Sequence, residues 1–264
     1  MNTLQNVIRF LLYSRLFIAI AATGLCLETD LMLNIVNLKS VYFYCFIFCA
    51  TLFTYNFYYL KSNIFNYTKH FAGFGFVGML VSFLIAKVEI NLGILSLSIV
   101  LSTIYLLPIY VPKLEVKFQS IIKLFLLIAV WGLVTIGLVV DPVFIQDFVI
   151  TKDMWITSFV INRMMLLIIT CGLFFLKDEL HKKSKQAVKI ILVLALIIQC
   201  VNSIASLRED ASLVIFILNF FLLSCVFYAS QQKTRTYFWH LLLVDGILVL
   251  QGIFALLFYI FLLD

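Results

Sequence analysis

Arg15, Arg163 and Asp245 each interrupt a stretch of chain that is otherwise apolar. A charge in such a setting costs a few kcal/mol unless it meets a partner or a polar cavity, so each of the three marks a specific pairing or a binding site. Arg15 and Asp245 have opposite signs and stand about eight residues from one end of their stretches, which at 1.5 Å per residue puts both roughly 12 Å deep in a helical span. A structural ion pair between Arg15 and Asp245 is therefore expected. Arg163 follows Asn162, has no acid assigned to it, and suits a lipid phosphate or helix-end carbonyls; Asn56, Asn202 and Asn219 are the polar residues with which it could line a cavity. The dense aromatic run from Tyr42 to Tyr59 belongs in a core or an interfacial belt. It would also suit a cavity for a polyisoprenoid chain, because ring faces attract carbocations. Cys26, Cys45, Cys49, Cys171, Cys200 and Cys225 lie in or beside apolar segments without paired spacing or clustered histidines, and read as small hydrophobes.

These residues are carried by elements that composition alone restricts. The 264-residue chain is 64% hydrophobic and 12% charged, too little polar surface to cover a soluble core of this size. The fold class expected is all-α, a polytopic membrane protein in a single integral membrane domain. Apolar runs long enough to span a bilayer occur at 7–27, 41–60, 71–86, 90–110, 119–140, 155–176, 187–207, 210–230 and 237–263, which makes nine transmembrane helices. They are continuous rather than alternating, which excludes an outer-membrane barrel. The glycines Gly24, Gly73, Gly75, Gly78, Gly132, Gly137, Gly172, Gly246 and Gly252 are expected to let these helices approach closely. The first run shows no cleavage site before Glu28 and Asp30 and is read as a helix that stays.

The net charge of +6 does not point to nucleic acid, because the basic residues sit in short gaps between apolar runs. With the N-terminus placed in the cytoplasm, the inner segments hold Arg9, Lys61, Lys69, Lys113, Lys117, Lys177, Lys182, Lys183, Lys185, Lys189, Lys233 and Arg235. The outer segments hold only Lys39, Lys87, Lys152 and Arg208. This bias predicts a cytoplasmic N-terminus and an external C-terminus in a bacterial inner membrane. The sequon Asn66-Tyr67-Thr68 falls on the cytoplasmic side and is set aside.

The chain resembles the UbiA superfamily of intramembrane prenyltransferases, in particular its divergent bacterial branch. The likeness rests on the nine-helix plan, on the segment from Ala50 through Asn56 to Leu60, on Tyr105-Leu106-Leu107-Pro108, on the path from Arg163 to Phe174-Phe175-Leu176-Lys177-Asp178, and on the path from Tyr237 to Asp245-Gly246. It implies a UbiA-like bundle that transfers a prenyl group from a prenyl diphosphate to an acceptor within the membrane. In that family two Asp-rich motifs hold magnesium against the diphosphate. Here Asn56 opens the first motif, but Phe57, Leu60 and Ile64 stand where its aspartates would be. In the second, Phe175 and Lys182 replace acids while Asp178 remains, with Lys177 and Glu179 beside it. The resemblance thus makes Asp178 and Glu179 the catalytic and Mg2+-binding candidates, and Asn56, Lys61, Arg163, Lys177 and Lys182 the substrate-binding ones. Two metal ions cannot be held in the family's usual way by that set, but Lys61, Lys177, Lys182, Lys183 and Lys185 can neutralise a phosphate directly. The competing expectations are a non-catalytic protein that binds an isoprenoid or quinone lipid on the same fold, and, ranked last, a transporter.

Overall fold

The computed structural model describes residues 7, 10–33, 38–60, 67–110, 119–140, 154–177, 182–206 and 245–253. Every regular element among them is a helix: α1 (Leu16–Leu33), α2 (Val41–Tyr59), α3 (Thr68–Ala86), α4 (Leu92–Tyr110), α5 (Gln119–Gly132) continuing into a π-helical turn (Leu133–Gly137), α6 (Met154–Lys177), α7 (Lys182–Ser206) and a helical segment at 245–253, here α8. Four helical stretches, Leu16–Leu33, Val41–Tyr59, Thr68–Ala86 and Ile156–Phe174, are long and apolar enough to cross a membrane. Leu92–Leu106, Ile121–Gly137 and Gln186–Asn202 are shorter apolar stretches. The eighth expected span, 210–230, lies outside the described residues, as does the ninth except for α8.

Side-chain oxygens start two of the helices. Ser40 accepts from the Phe43 amide at 3.4 Å before α2, and Asn91 accepts from the Gly93 and Ile94 amides at 3.0 and 3.2 Å before α4. Inside helices, hydroxyls turn back onto carbonyls four residues earlier, as Thr23, Thr54, Thr135 and Thr170 do on Ala19, Ala50, Trp131 and Leu166. This satisfies polar groups that have no water to bond.

α1 differs from the sequence expectation at both ends. It does not run unbroken from residue 7, because Arg15 adopts φ 64° and separates the helical residues 10–13 from Leu16. Neither Gly nor Pro signals this break, and a left-handed backbone at an arginine is held by its surroundings. The Ser14 carbonyl accepts a bond from Asn56 Nδ2 at 3.1 Å, which ties the break to α2. At the other end α1 continues to Leu33 and so carries Glu28, Thr29 and Asp30 into the interior, all at most 1% exposed.

α2 packs against α1 and α3, α6 against α5 and α7, and the π turn against α1 and α4. The close approach of α2 and α3 depends on Gly75, where a Cβ would stand 2.7 Å from the Phe53 amide nitrogen. α8 crosses α1 at Gly252 and Gly24, where a Cβ on Gly252 would lie 2.8 Å from the Gly24 Cα. Gly73, by contrast, faces open space. The five described cysteines are free thiols, and Cys49 packs on Gly78. Large apolar residues face outward on α3 (Phe74, Val77, Val81, Leu84, Ile85) and on α7 (Ile190, Val193, Leu194, Ile197, Val201), while α3 buries Ala72, Gly75 and Ser82. Asn56, Asn162, Arg163, Gln199, Asp245 and Gln251 are buried. Apolar outside and polar inside is the arrangement suited to a lipid solvent.

Candidate functional site

A cavity of about 100 Å³ opens between α1, α2, α4, α5, α6 and α8. α2 contributes Thr54, Tyr55, Tyr58 and Tyr59, a spacing of three and four that puts them on one helix face. α4 contributes Tyr105, α5 contributes Leu127, Val130 and Trp131, and α6 contributes Leu167, Thr170, Cys171 and Phe174. Arg15 and Ile18 enter from α1 and its break, Asp245 and Leu248 from α8. The rings hold one another in place. Tyr58 stacks on Tyr105 with centroids 5.8 Å apart and meets Tyr59 edge-on at 4.8 Å. The Trp131 indole donates to the Tyr55 hydroxyl at 3.0 Å, so the polar tips of both residues are satisfied and their ring carbons remain as wall.

Arg15 and Asp245 both line this cavity, as opposite charges of the first and last described helices. They form no ion pair within 4.0 Å. Among the described residues one ion pair forms within 4.0 Å, and it joins Arg163 to Glu28. The backbone turn at Arg15 sends its guanidinium over the Tyr59 ring instead, with Cζ 3.9 Å from the centroid.

Arg163 does not line the cavity. Its Nη2 lies 2.7 Å from Glu28 Oε2, with both side chains 1% exposed, and also donates to the Leu25 carbonyl at 3.3 Å and the Thr29 hydroxyl at 3.4 Å. Gln251 of α8 donates to the other Glu28 oxygen at 3.1 Å. The acid that sequence reading left unassigned is therefore Glu28. It was hidden because the first apolar run was ended at Leu27, whereas the helix runs on and presents Glu28 toward α6. The signal was partial: a buried arginine calls for an acid, and Glu28 directly follows an apolar run, but Glu89 and Asp141 border such runs equally closely. Asp30 itself accepts from the Lys39 amide at 2.7 Å and from the Tyr44 hydroxyl. Of the asparagines grouped with Arg163, Asn219 lies outside the described residues and the other two bond elsewhere. Asn202 exchanges bonds with Ser158 at 3.0 Å, and the neighbouring Asn162 accepts from Gln199.

Asn56 is fully buried, and its Nδ2 bonds the Ser14 and Leu52 carbonyls at 3.1 and 2.9 Å. It stands on α2 beside the cavity residue Tyr55 without lining the cavity itself. Lys177 ends α6 and Lys182 begins α7, so the chain places the two at adjoining helix ends. Lys61, Asp178 and Glu179 lie outside the described residues. Among the described residues no three His, Cys, Asp or Glu side chains converge as metal ligands would. Sequence reading had also not singled out Trp131, whose indole N–H in the middle of an apolar run needs an acceptor and so advertises an interior partner.

Compared with family models, with curated proteins and with solved structures, the chain finds no match in any of the three.

Proposed function

We propose that this chain is a polytopic membrane protein of UbiA-like plan, with nine spans and a cytoplasmic N-terminus. In this reading it takes an isoprenoid lipid into the aromatic cavity and transfers a prenyl group from its diphosphate to an acceptor. The cavity carries the proposal. Rings from α2, α4, α5 and α6 face one space together with apolar side chains, a wall that suits an unsaturated chain and would stabilise positive charge developing on it. Asp178 and Glu179 follow Phe174 of the cavity wall by four and five residues, and Lys177 lies between. In this reading the two carboxylates would hold one magnesium ion, and Lys177 and Lys182 would neutralise the leaving diphosphate. A second reading, a non-catalytic isoprenoid or quinone binder, is favoured by the bonding of Asn56: its amide is engaged by two backbone carbonyls rather than turned to the cavity.

Mass spectrometry of lipids that copurify with the detergent-solubilised protein tests both readings together, and an isoprenoid is the expected finding. Turnover of a panel of prenyl diphosphates separates them. Metal-dependent transfer, reduced by roughly two orders of magnitude or more in Asp178→Ala, supports the enzyme. A bound isoprenoid without turnover supports the binder, and neither result in folded protein removes both.

A further inference from the structure

We propose that the cavity is also a binding site for a stable organic cation, a substituted ammonium group, which would sit between the aromatic wall and the Asp245 carboxylate. This goes beyond the isoprenoid reading and does not rest on prenyl transfer. Asp245 is 7% exposed, lines the cavity, and makes no hydrogen bond or ion pair among the described residues. A carboxylate kept from water without a contact partner attracts a cation strongly, because little dielectric screens it. The aromatic lining already holds one cation: the Arg15 guanidinium lies over the Tyr59 ring at 3.9 Å. Arg15 belongs to the same cavity yet forms no ion pair with Asp245 within 4.0 Å, so the carboxylate keeps its place for a second cation. Leu127 and Leu167 complete the wall with apolar surface, which favours alkyl substituents on the nitrogen over a bare ammonium.

The polarity of the ligand fixes the sign of every test. Trp131 lines the cavity, so its fluorescence in a full-length Trp155→Phe/Trp239→Phe background reports occupancy. The probes are benzyltrimethylammonium, its uncharged isostere neopentylbenzene, and phenyl phosphate, each titrated into protein in nonionic detergent at mildly alkaline pH. Saturable binding of the ammonium at least about tenfold tighter than of the neutral isostere is expected, since cation–π and carboxylate attraction together exceed one decade. Asp245→Asn should weaken the ammonium about tenfold or more, and Asp245→Glu should keep it. Arg15→Gln should tighten it several-fold by removing a like charge and freeing the Tyr59 face. Equal binding of the neutral isostere to the parent protein overturns the proposal without recourse to any variant. Preferential binding of phenyl phosphate, lost in Arg15→Gln, also overturns it and makes Arg15 an anion site. Because the copurified lipids are read separately, failure here leaves the isoprenoid reading standing, and failure there leaves this one.

Discussion

At the scale of single residues, the buried Glu28–Arg163 pair carries a large mutational cost. Both groups are withdrawn from water and Arg163 Nη2 pairs with Glu28 while donating to two oxygens of α1, whereas its Nε and Nη1 find no acceptor among the described residues. Glu28→Gln leaves a guanidinium buried without its counter-charge and should cost about 3–5 kcal/mol, read as a shift of the unfolding midpoint in mixed detergent. Replacing both, as in Glu28→Met with Arg163→Met, should cost clearly less than the sum of the two single changes, because the desolvation of both charges is removed with them. Sequence reading recognised that Arg163 needs satisfaction but could not name the partner, since 135 positions separate the two and only the reach of the Arg163 side chain across the fold joins them. Arg15 shows the reverse. Its charge, and that of Asp245, predicted an ion pair that does not form, and the left-handed backbone that turns Arg15 onto Tyr59 has no signature in the residues around it.

At the scale of elements, the glycines divide by what faces them, and the division is testable. A methyl at Gly75 would meet backbone of α2 at 2.7 Å, and backbone cannot swing aside as a side chain can. Gly75→Ala should therefore destabilise by roughly 1–3 kcal/mol, as overpacking does. Gly73→Ala, two residues away on the same helix with nothing within 4 Å, should be neutral or stabilise by up to about 1 kcal/mol through helix propensity. Thermal unfolding of the two variants side by side checks the contrast. The extents of α2, α3, α4 and α6 were legible in apolar run length because each run is bounded by polar or turn residues, Ser40 and Asn91 among them. α1 was not, because an acid that finds a buried partner does not end a helix. The π turn at 133–137 was equally invisible: Leu133 and Gly137 look like any apolar helix, and the extra residue shows only in the Leu138 amide donating to the Leu133 carbonyl at 2.8 Å.

At the scale of the whole molecule, the lysine and arginine bias predicts that a reporter fused after Asp264 is active only outside the cytoplasm. Cytoplasmic activity there would remove one span from the nine proposed or reverse the proposed orientation. The all-helical class followed from composition, and the outward Phe, Val and Leu side chains of α3 and α7 follow the same logic. The cavity did not follow, since its rings come from four helices and nothing in a linear sequence groups Tyr58, Tyr105 and Trp131. α1 meets α8 at two levels, Gly24 against Gly252 and Glu28 bonded to Gln251, while Arg15 and Asp245 share the cavity without pairing. A ribosome delivers α1 long before α8, and α6 with Arg163 long after Glu28 has been made. During synthesis the earliest helix is thus a half-finished surface with an unneutralised acid, which an insertion partner or the lateral gate of a translocon has to shelter until its arginine arrives. Chains truncated ahead of α6, which lack Arg163, should accordingly be cleared by membrane proteases even with every earlier helix inserted, and pulse-chase turnover of such truncations, compared with the full chain, would reveal assembly that waits for its arginine.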